Sequence, residues 1–179
     1  MFTAMRASSG DIRTALAEGG VDLDRRALDG AGLQQGQGHP GPAARLDPRP
    51  GERILDLCAA PGAKATHIAA LAQNRAEVVC VEVRPARAAA LRALARRLGA
   101  RLTVIEGDGR SVALPGTFDA ALVDPPCTGL GVLSARPDAR WRRAEDDIPG
   151  LVGLQGELLA RAMAVVRPGG RVVYSTCTL

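Results

Sequence analysis

From residue 52 onward, short apolar runs alternate with segments of helical period, and that alternation constrains the fold more than any other feature of the chain. Residues 53–57 read as a strand, 58–64 as a loop of small residues and 65–72 as a helix. A second strand is expected at 77–83, followed by an Ala/Arg-rich helix over 85–98 that Gly99 closes. Short strands at 102–105 and 118–123 flank a loop at 106–111. A long loop over 124–147 then leads to Leu151, Leu154, Leu158, Leu159, Met163 and Val166, spaced as one face of a helix over 151–166. Pro168-Gly169-Gly170 turns the chain into a last strand at 171–175. This order predicts an α/β fold with a mainly parallel sheet covered on both faces. In such a sheet ligands lie beyond the carboxyl ends of the strands, so the loops at 58–64, 82–84, 106–110, 124–130 and 176–177 are expected to line one cleft.

Residues 1–50 differ from the rest. They are rich in Gly and Pro, with one helical pattern at 10–18 and a loop-like stretch at 30–50, and read as a poorly defined N-terminal extension or remnant subdomain ahead of a domain over 51–179. The chain's 179 residues suffice for one domain with a sizeable core. Lys64 is the sole lysine among 23 basic residues, which exceed 19 acidic ones to leave a formal charge of +4. Such an excess permits a polyanionic partner without requiring one, since surface arginine also simply solvates. Aromatic residues make up 2%, too few for a row of stacking platforms along single-stranded nucleic acid.

No apolar run approaches the roughly 20 residues of a membrane span, and residues 1–20 lack the charged start and apolar core of a signal peptide. A cytoplasmic protein without a membrane partner is therefore expected. Cys58, Cys80, Cys127 and Cys177 are far apart with no C-x-x-C pair, which speaks against a zinc site and a disulfide framework. No metal and a monomeric chain are expected. The sequence stops directly after the strand at 171–175, where a helix or turn normally follows, so a C-terminally incomplete domain is expected.

The first loop carries Cys58, Ala59, Ala60, Pro61, Gly62, Ala63 and Lys64 into a helix N-terminus, and its small side chains let a ligand approach the backbone. The pattern G-x-x-x-x-G-K-[ST] is absent, so the loop suits a bulky non-phosphate ligand better than a phosphate; a ligand-free turn is the plain alternative. Glu82, about 20 positions beyond Gly62, stands where a carboxylate can accept both hydroxyls of a ribose. Asp108, between two glycines, can accept from an adenine amino group or serve only as a turn aspartate. Together these strand ends describe a nucleoside pocket. Asp124, Pro125, Pro126 and Cys127 follow a buried strand, so the carboxylate and thiol are held at the cleft by two rigid prolines. Cys177 leaves the fifth strand, which is expected beside the fourth. Cys80, inside Val78-Val79-Cys80-Val81, reads as a small core residue, and Cys58 fits either role.

Over residues 51–179 these segments resemble the Sun/Fmu-type RNA 5-methylcytosine methyltransferases. LDLCAAPGAKATHI (55–68) resembles the family's cofactor loop, DPPCTGLGVLSARPDARWRR (124–143) its central motif, and Ser175-Thr176-Cys177 its nucleophile motif. Residues 147–155 look like the bacterial members that act on small-subunit ribosomal RNA. The resemblance implies a Rossmann-like class I methyltransferase sheet, truncated after its fifth strand, with S-adenosylmethionine as cofactor and RNA, in particular 16S ribosomal RNA, as partner. It implies cofactor contacts from the loop Cys58 to Lys64, Glu82, Arg87, Asp108 and Asp124. By the same resemblance Cys177 is the nucleophile, Cys127 the second thiol that helps release product, and Asp124 the group that bonds the cytosine ring near N3. Lys64 is the cation that neutralises the carboxylates and lowers a thiol pKa. The chemistry has a physical reason: cytosine C5 is a poor nucleophile until a thiolate adds to C6 and makes C5 enamine-like.

Two departures from the family pattern stand out. Ala63 and Ala65 replace the usual Gly and Thr, and the segment before Gly51 is reduced to Gln37-Gly38-His39-Pro40. Contacts to an RNA backbone are expected from Arg136, Arg140, Arg142 and Arg143 around a base flipped into the cleft. Three other readings remain. An amino-methyltransferase shares Asp-Pro-Pro but has an aromatic residue at the position of Cys127. In a DNA cytosine methyltransferase Cys127 would form the adduct. A truncated domain would bind S-adenosylmethionine or RNA without turnover.

Overall fold

The computed structural model describes residues 41–128 and 147–176. Among them the elements run α1 (Pro42–Arg45), β1 (Arg53–Asp56), α2 (Ala63–Leu71), β2 (Glu77–Glu82), α3 (Pro85–Leu98), β3 (Leu102–Glu106), β4 (Phe118–Val123), α4 (Asp147–Val165) and β5 (Val166–Tyr174). The expected helical pattern at 10–18, the arginines at 136–143 and Cys177 lie outside the described residues.

The five strands form one sheet in the order β3-β2-β1-β4-β5, and every pairing is parallel. The central strands carry uninterrupted apolar runs because both faces are covered: five of the six residues of β2 are buried, as are Ile54 and Leu55 in β1. Strand β3, at the edge, has no fully buried position. Helix α3 starts on Pro85, whose fixed φ suits a first helical position, and buries Ala88, Leu91 and Ala95 at helical spacing. Ile54, Ile68, Val78, Leu91 and Leu122 belong to one buried cluster spanning β1, α2, β2, α3 and β4.

Two segments differ from the sequence expectation. Residues 42–46, expected as part of a loop, form a short helical turn whose Ala43 and Leu46 enter the same buried cluster. Tertiary packing sets this turn, since four residues show no periodicity. Strand β5 begins at Val166 rather than 171, so Pro168-Gly169-Gly170 is absorbed as an irregularity of the ladder and not as a turn ahead of it. Phe118 pairs with Val166, and the next registered pair is Ala120 with Arg171. A Cβ on Gly170 would lie 2.7 Å from the Asp119 carbonyl, so only glycine lets the strands close there.

By contact the chain divides into two units: Pro40–Asp124 with Arg161–Tyr174, and Met1–His39 with Pro125–Ala160 and Ser175–Leu179. The first holds the whole sheet. In the second, the Gln155 side-chain amide donates to the Pro126 carbonyl at 2.8 Å. No helix among the described residues is long and apolar enough to cross a membrane.

Ile54 is fully buried at the middle of the sheet. Ile54→Ala is expected to cost about 2–5 kcal/mol in a denaturant melt, the price of a cavity in a packed core. A loss below about 1 kcal/mol would mean that the cluster is loosely packed.

Candidate functional site

In the sheet, β1 pairs with β2 on one side and with β4 on the other, so the strand order reverses at β1. In open sheets of this kind, ligands bind at such a switch point, in a crevice beyond the carboxyl ends of the strands. The loops there are tied together by short hydrogen bonds. Ala59 N–H donates to the Val81 carbonyl at 3.0 Å, Gly107 N–H to the Glu82 carbonyl at 3.1 Å, and the Arg87 guanidinium to the Ala60 carbonyl.

The loop after β1 is built of small residues, with Ala59 and Ala60 buried, a cis Ala60-Pro61 peptide, and Gly62 at φ +112° as the cap that opens α2. A side chain on Gly62 would collide with Leu91 of α3, so glycine is needed both for its backbone angle and for the close approach of the two helices. Ala63 and Lys64 form the first turn of α2, and Thr66, buried on the next turn, donates through Oγ1 to the Gly62 carbonyl at 2.9 Å.

Lys64 Nζ reaches across to Asp124 Oδ2 at 2.5 Å, and the two side chains are 24% and 27% exposed. This contact joins the start of α2 to the end of β4. Glu82 is 4% exposed at the end of β2; its Oε1 accepts from Arg84 N–H at 2.9 Å and its Oε2 lies 3.6 Å from Arg87 Nη1. One hydrogen bond and one ion pair leave a carboxylate with further acceptor capacity. Asp108 is bound by its own neighbour: Arg110 donates to it through the backbone at 2.9 Å and through Nη2 at 2.6 Å. Those bonds hold the Asp108 carboxyl below the usual carboxylate range.

The cysteines separate by environment. Burial, reinforced by the charges of Asp56, Asp124 and Glu82, pushes the Cys58 thiol up to about 12. Cys80, fully buried in β2, is pushed well above its ordinary value, again chiefly by burial. Neither is a thiolate near neutrality, and only a thiolate attacks. Cys127, in the second unit, is half-buried. In the same unit Ser175 and Thr176 are buried, directly before Cys177 in the chain.

Asp56 escaped the sequence reading. It ends β1 at 1% exposure, and neither carboxylate oxygen has a hydrogen-bond partner among the described residues. Burial, then the charge of Asp124, lifts its pKa to about 7, offset in part by Lys64 and by the nearby Cys58 amide. The one sequence signal was a carboxylate closing an otherwise apolar strand. Among the described residues no group of three or more His, Cys, Asp or Glu is arranged to hold a metal ion.

The folded chain holds the Asp56 proton more tightly than an unfolded one does. Its contribution to stability is therefore lost as pH rises from about 4 to about 7, by a few kcal/mol. Asp56→Asn is expected to flatten that part of the stability–pH curve measured by chemical denaturation; an unchanged slope would place the proton elsewhere.

Residues 43–179 match the family model described as 16S rRNA methyltransferase RsmB/F. Ribosomal RNA small subunit methyltransferase B of Salmonella paratyphi B is 43% identical over 142 residues, which is 78% of this chain and 33% of that protein. The chain thus spans about a third of the length of the curated relatives it matches. Among solved structures, NSun6 from Pyrococcus horikoshii with SFG superposes with a TM-score of 0.72 at 33% identity, covering 88% of this chain and 41% of that one. A methyltransferase homolog protein from the same organism gives 0.67 at 36%, covering 77% and 43%.

Proposed function

The chain belongs to the RsmB/F family of 16S rRNA methyltransferases, and from that premise we propose that it methylates C5 of a cytosine in small-subunit ribosomal RNA through a covalent cysteine adduct, with S-adenosylmethionine as methyl donor. The observation that carries the reading is the Lys64–Asp124 pair: an ammonium and a carboxylate held 2.5 Å apart at the switch point, with Cys127 three residues further along the chain.

The residues at the crevice fit such a cofactor. A nucleoside needs an acceptor for its ribose hydroxyls, and Glu82 presents a buried carboxylate with acceptor capacity to spare. An adenosyl group needs a wall of small residues, which Ala59, Ala60, Gly62 and Ala63 supply. Arg87 keeps that wall in place by bonding the Ala60 carbonyl. Because Arg110 already occupies the Asp108 carboxylate, we assign Asp108 to shaping the loop after β3, with its backbone carrying any adenine contact. The cofactor supplies a sulfonium methyl, an electrophile that C5 can reach only after activation.

Activation is the task of the protein. Cys177, as thiolate, adds to C6 of the flipped base, and the electron pair displaced from the C5–C6 double bond makes C5 nucleophilic. Asp124 accepts from the ring near N3 once that nitrogen is protonated, which stabilises the adduct. Lys64, in contact with Asp124, orients its carboxylate for that bond. After methyl transfer a base removes the C5 proton, the C6–S bond breaks, and the thiolate of Cys177 is restored, with Cys127 assisting release. Arg136, Arg140, Arg142 and Arg143 supply contacts to RNA phosphates.

RNA containing 5-fluorocytosine cannot lose a C5 proton, so it arrests this route at the adduct. The chain incubated with that RNA and cofactor is expected to yield a covalent complex on a denaturing gel. Cys177→Ala should abolish the complex, and Cys127→Ala should let it accumulate on ordinary RNA. Full methyl transfer by Cys177→Ala would refute the nucleophile assignment, and loss of the complex only in Cys127→Ala would transfer that role to Cys127.

A further inference from the structure

We propose that Asp56 is a positioning residue that stores a proton beneath the cofactor loop: its neutral carboxyl leaves the Lys64 ammonium to Asp124, and its ionised form draws that ammonium inward. Asp56 pairs in register with Leu122 on β4, and Asp124 follows Leu122 by two residues, so both carboxylates lie on one face of adjacent strands. Lys64, on the first turn of α2, acts electrostatically on both. One ammonium therefore serves two carboxylates, of which one has a direct contact and the other has none.

The charged and titratable groups around Asp56 can be followed element by element. Asp124 faces it from the end of β4, Lys64 from α2, the Cys58 thiol from the loop, and Cys80 from its registered position on β2. Glu82 and Arg87 act on Cys58 one layer further out. Both thiols stay protonated well above neutrality. Asp124 favours a proton on Asp56, and Lys64 favours its loss. A buried carboxyl with no hydrogen-bonded partner among the described residues carries charge only at a high cost without a counter-ion, and Lys64, the cation acting on it there, is in contact with Asp124. Ionisation of Asp56 would then be answered by movement of Lys64, the cation that acts on it among the described residues.

The arrangement keeps Asp124 locked by Lys64 while Asp56 is neutral and loosens that lock above about pH 7. Its bearing on methyl transfer rests on the function proposed above; the proton and its effect on Lys64 are properties of the protein without RNA. The test accordingly uses the full chain alone. Side-chain carbon signals of Asp56 and Asp124 and the Nζ nitrogen signal of Lys64 are followed by NMR from pH 5 to 9, in wild type and in Asp56→Asn.

The expected result is a step for Asp56 near neutrality, with the Lys64 and Asp124 signals moving at the same midpoint. In Asp56→Asn that shared step should disappear. Lys64→Met should raise the Asp56 midpoint, since the ammonium favours ionisation. An Asp56 midpoint in the ordinary carboxylate range, or a Lys64 signal that ignores the Asp56 step, overturns the proposal. So does a Lys64 step retained in Asp56→Asn. If that variant fails to fold, the wild-type titration decides alone. Absence of methyl transfer at every pH alongside an intact shared step would sink the functional reading and leave this one standing.

Discussion

A parallel sheet places the carboxyl end of every strand on one side, and a reversal of strand order leaves a gap between two of the loops that emerge there. Both conditions meet at β1, which pairs with β2 on one flank and β4 on the other. At such a reversal the loops after the two strands generally leave in opposite directions, which is why ligands bind there. Every group assigned to the cofactor within the sheet unit follows from that constraint: the small residues of the first loop, Glu82 on β2, and Asp124 at the end of β4. The packing beneath is equally strict, since Gly62 can carry no side chain where α2 passes Leu91.

Electrostatics at the crevice is a problem of unequal numbers. Asp56 and Asp124 share Lys64, the only lysine of the chain, and the contact goes to the less buried carboxylate. The deeper one is left without a partner and holds its proton to about pH 7. Burial raises the neighbouring Cys58 thiol for the same reason. The interior around the loop thus favours neutral groups, and the ion pairs beside it among the described residues are Lys64–Asp124 and Arg87–Glu82.

Most of the sheet could be read from the residues, because local and tertiary signals agree there. The run Val78-Val79-Cys80-Val81 can only be a doubly buried strand, and Pro85 and Gly99 bracket α3 whatever it packs against. The segments that escaped are those where tertiary contact overrides local pattern. Ala43 and Leu46 become core only because the sheet offers them a place, and Pro168-Gly169-Gly170 stays in the ladder because β4 lies close enough to pair on both sides of it. Among the candidate residues, Glu82 was singled out by its spacing from Gly62 and Asp124 by the rigid loop after β4, whereas the roles of Lys64 and Arg87 rested on the family resemblance. Asp56 was not singled out, since a strand-ending aspartate looks solvated until the following loop is seen to cover it. Asp108 was expected to contact a ligand, and the structure adds that Arg110, two residues on, bonds its carboxylate.

Calorimetric titration of S-adenosylhomocysteine into wild type and Glu82→Gln tests the site most directly, because Glu82 is buried, belongs to the sheet unit and has no part in the reaction with RNA. A charge-assisted bond to a ribose hydroxyl contributes about 1.5–3 kcal/mol. The variant should therefore bind at least about tenfold more weakly while melting like the wild type. Equal affinity in the two proteins, or no binding to the wild type, would contradict the assignment of this crevice to the cofactor.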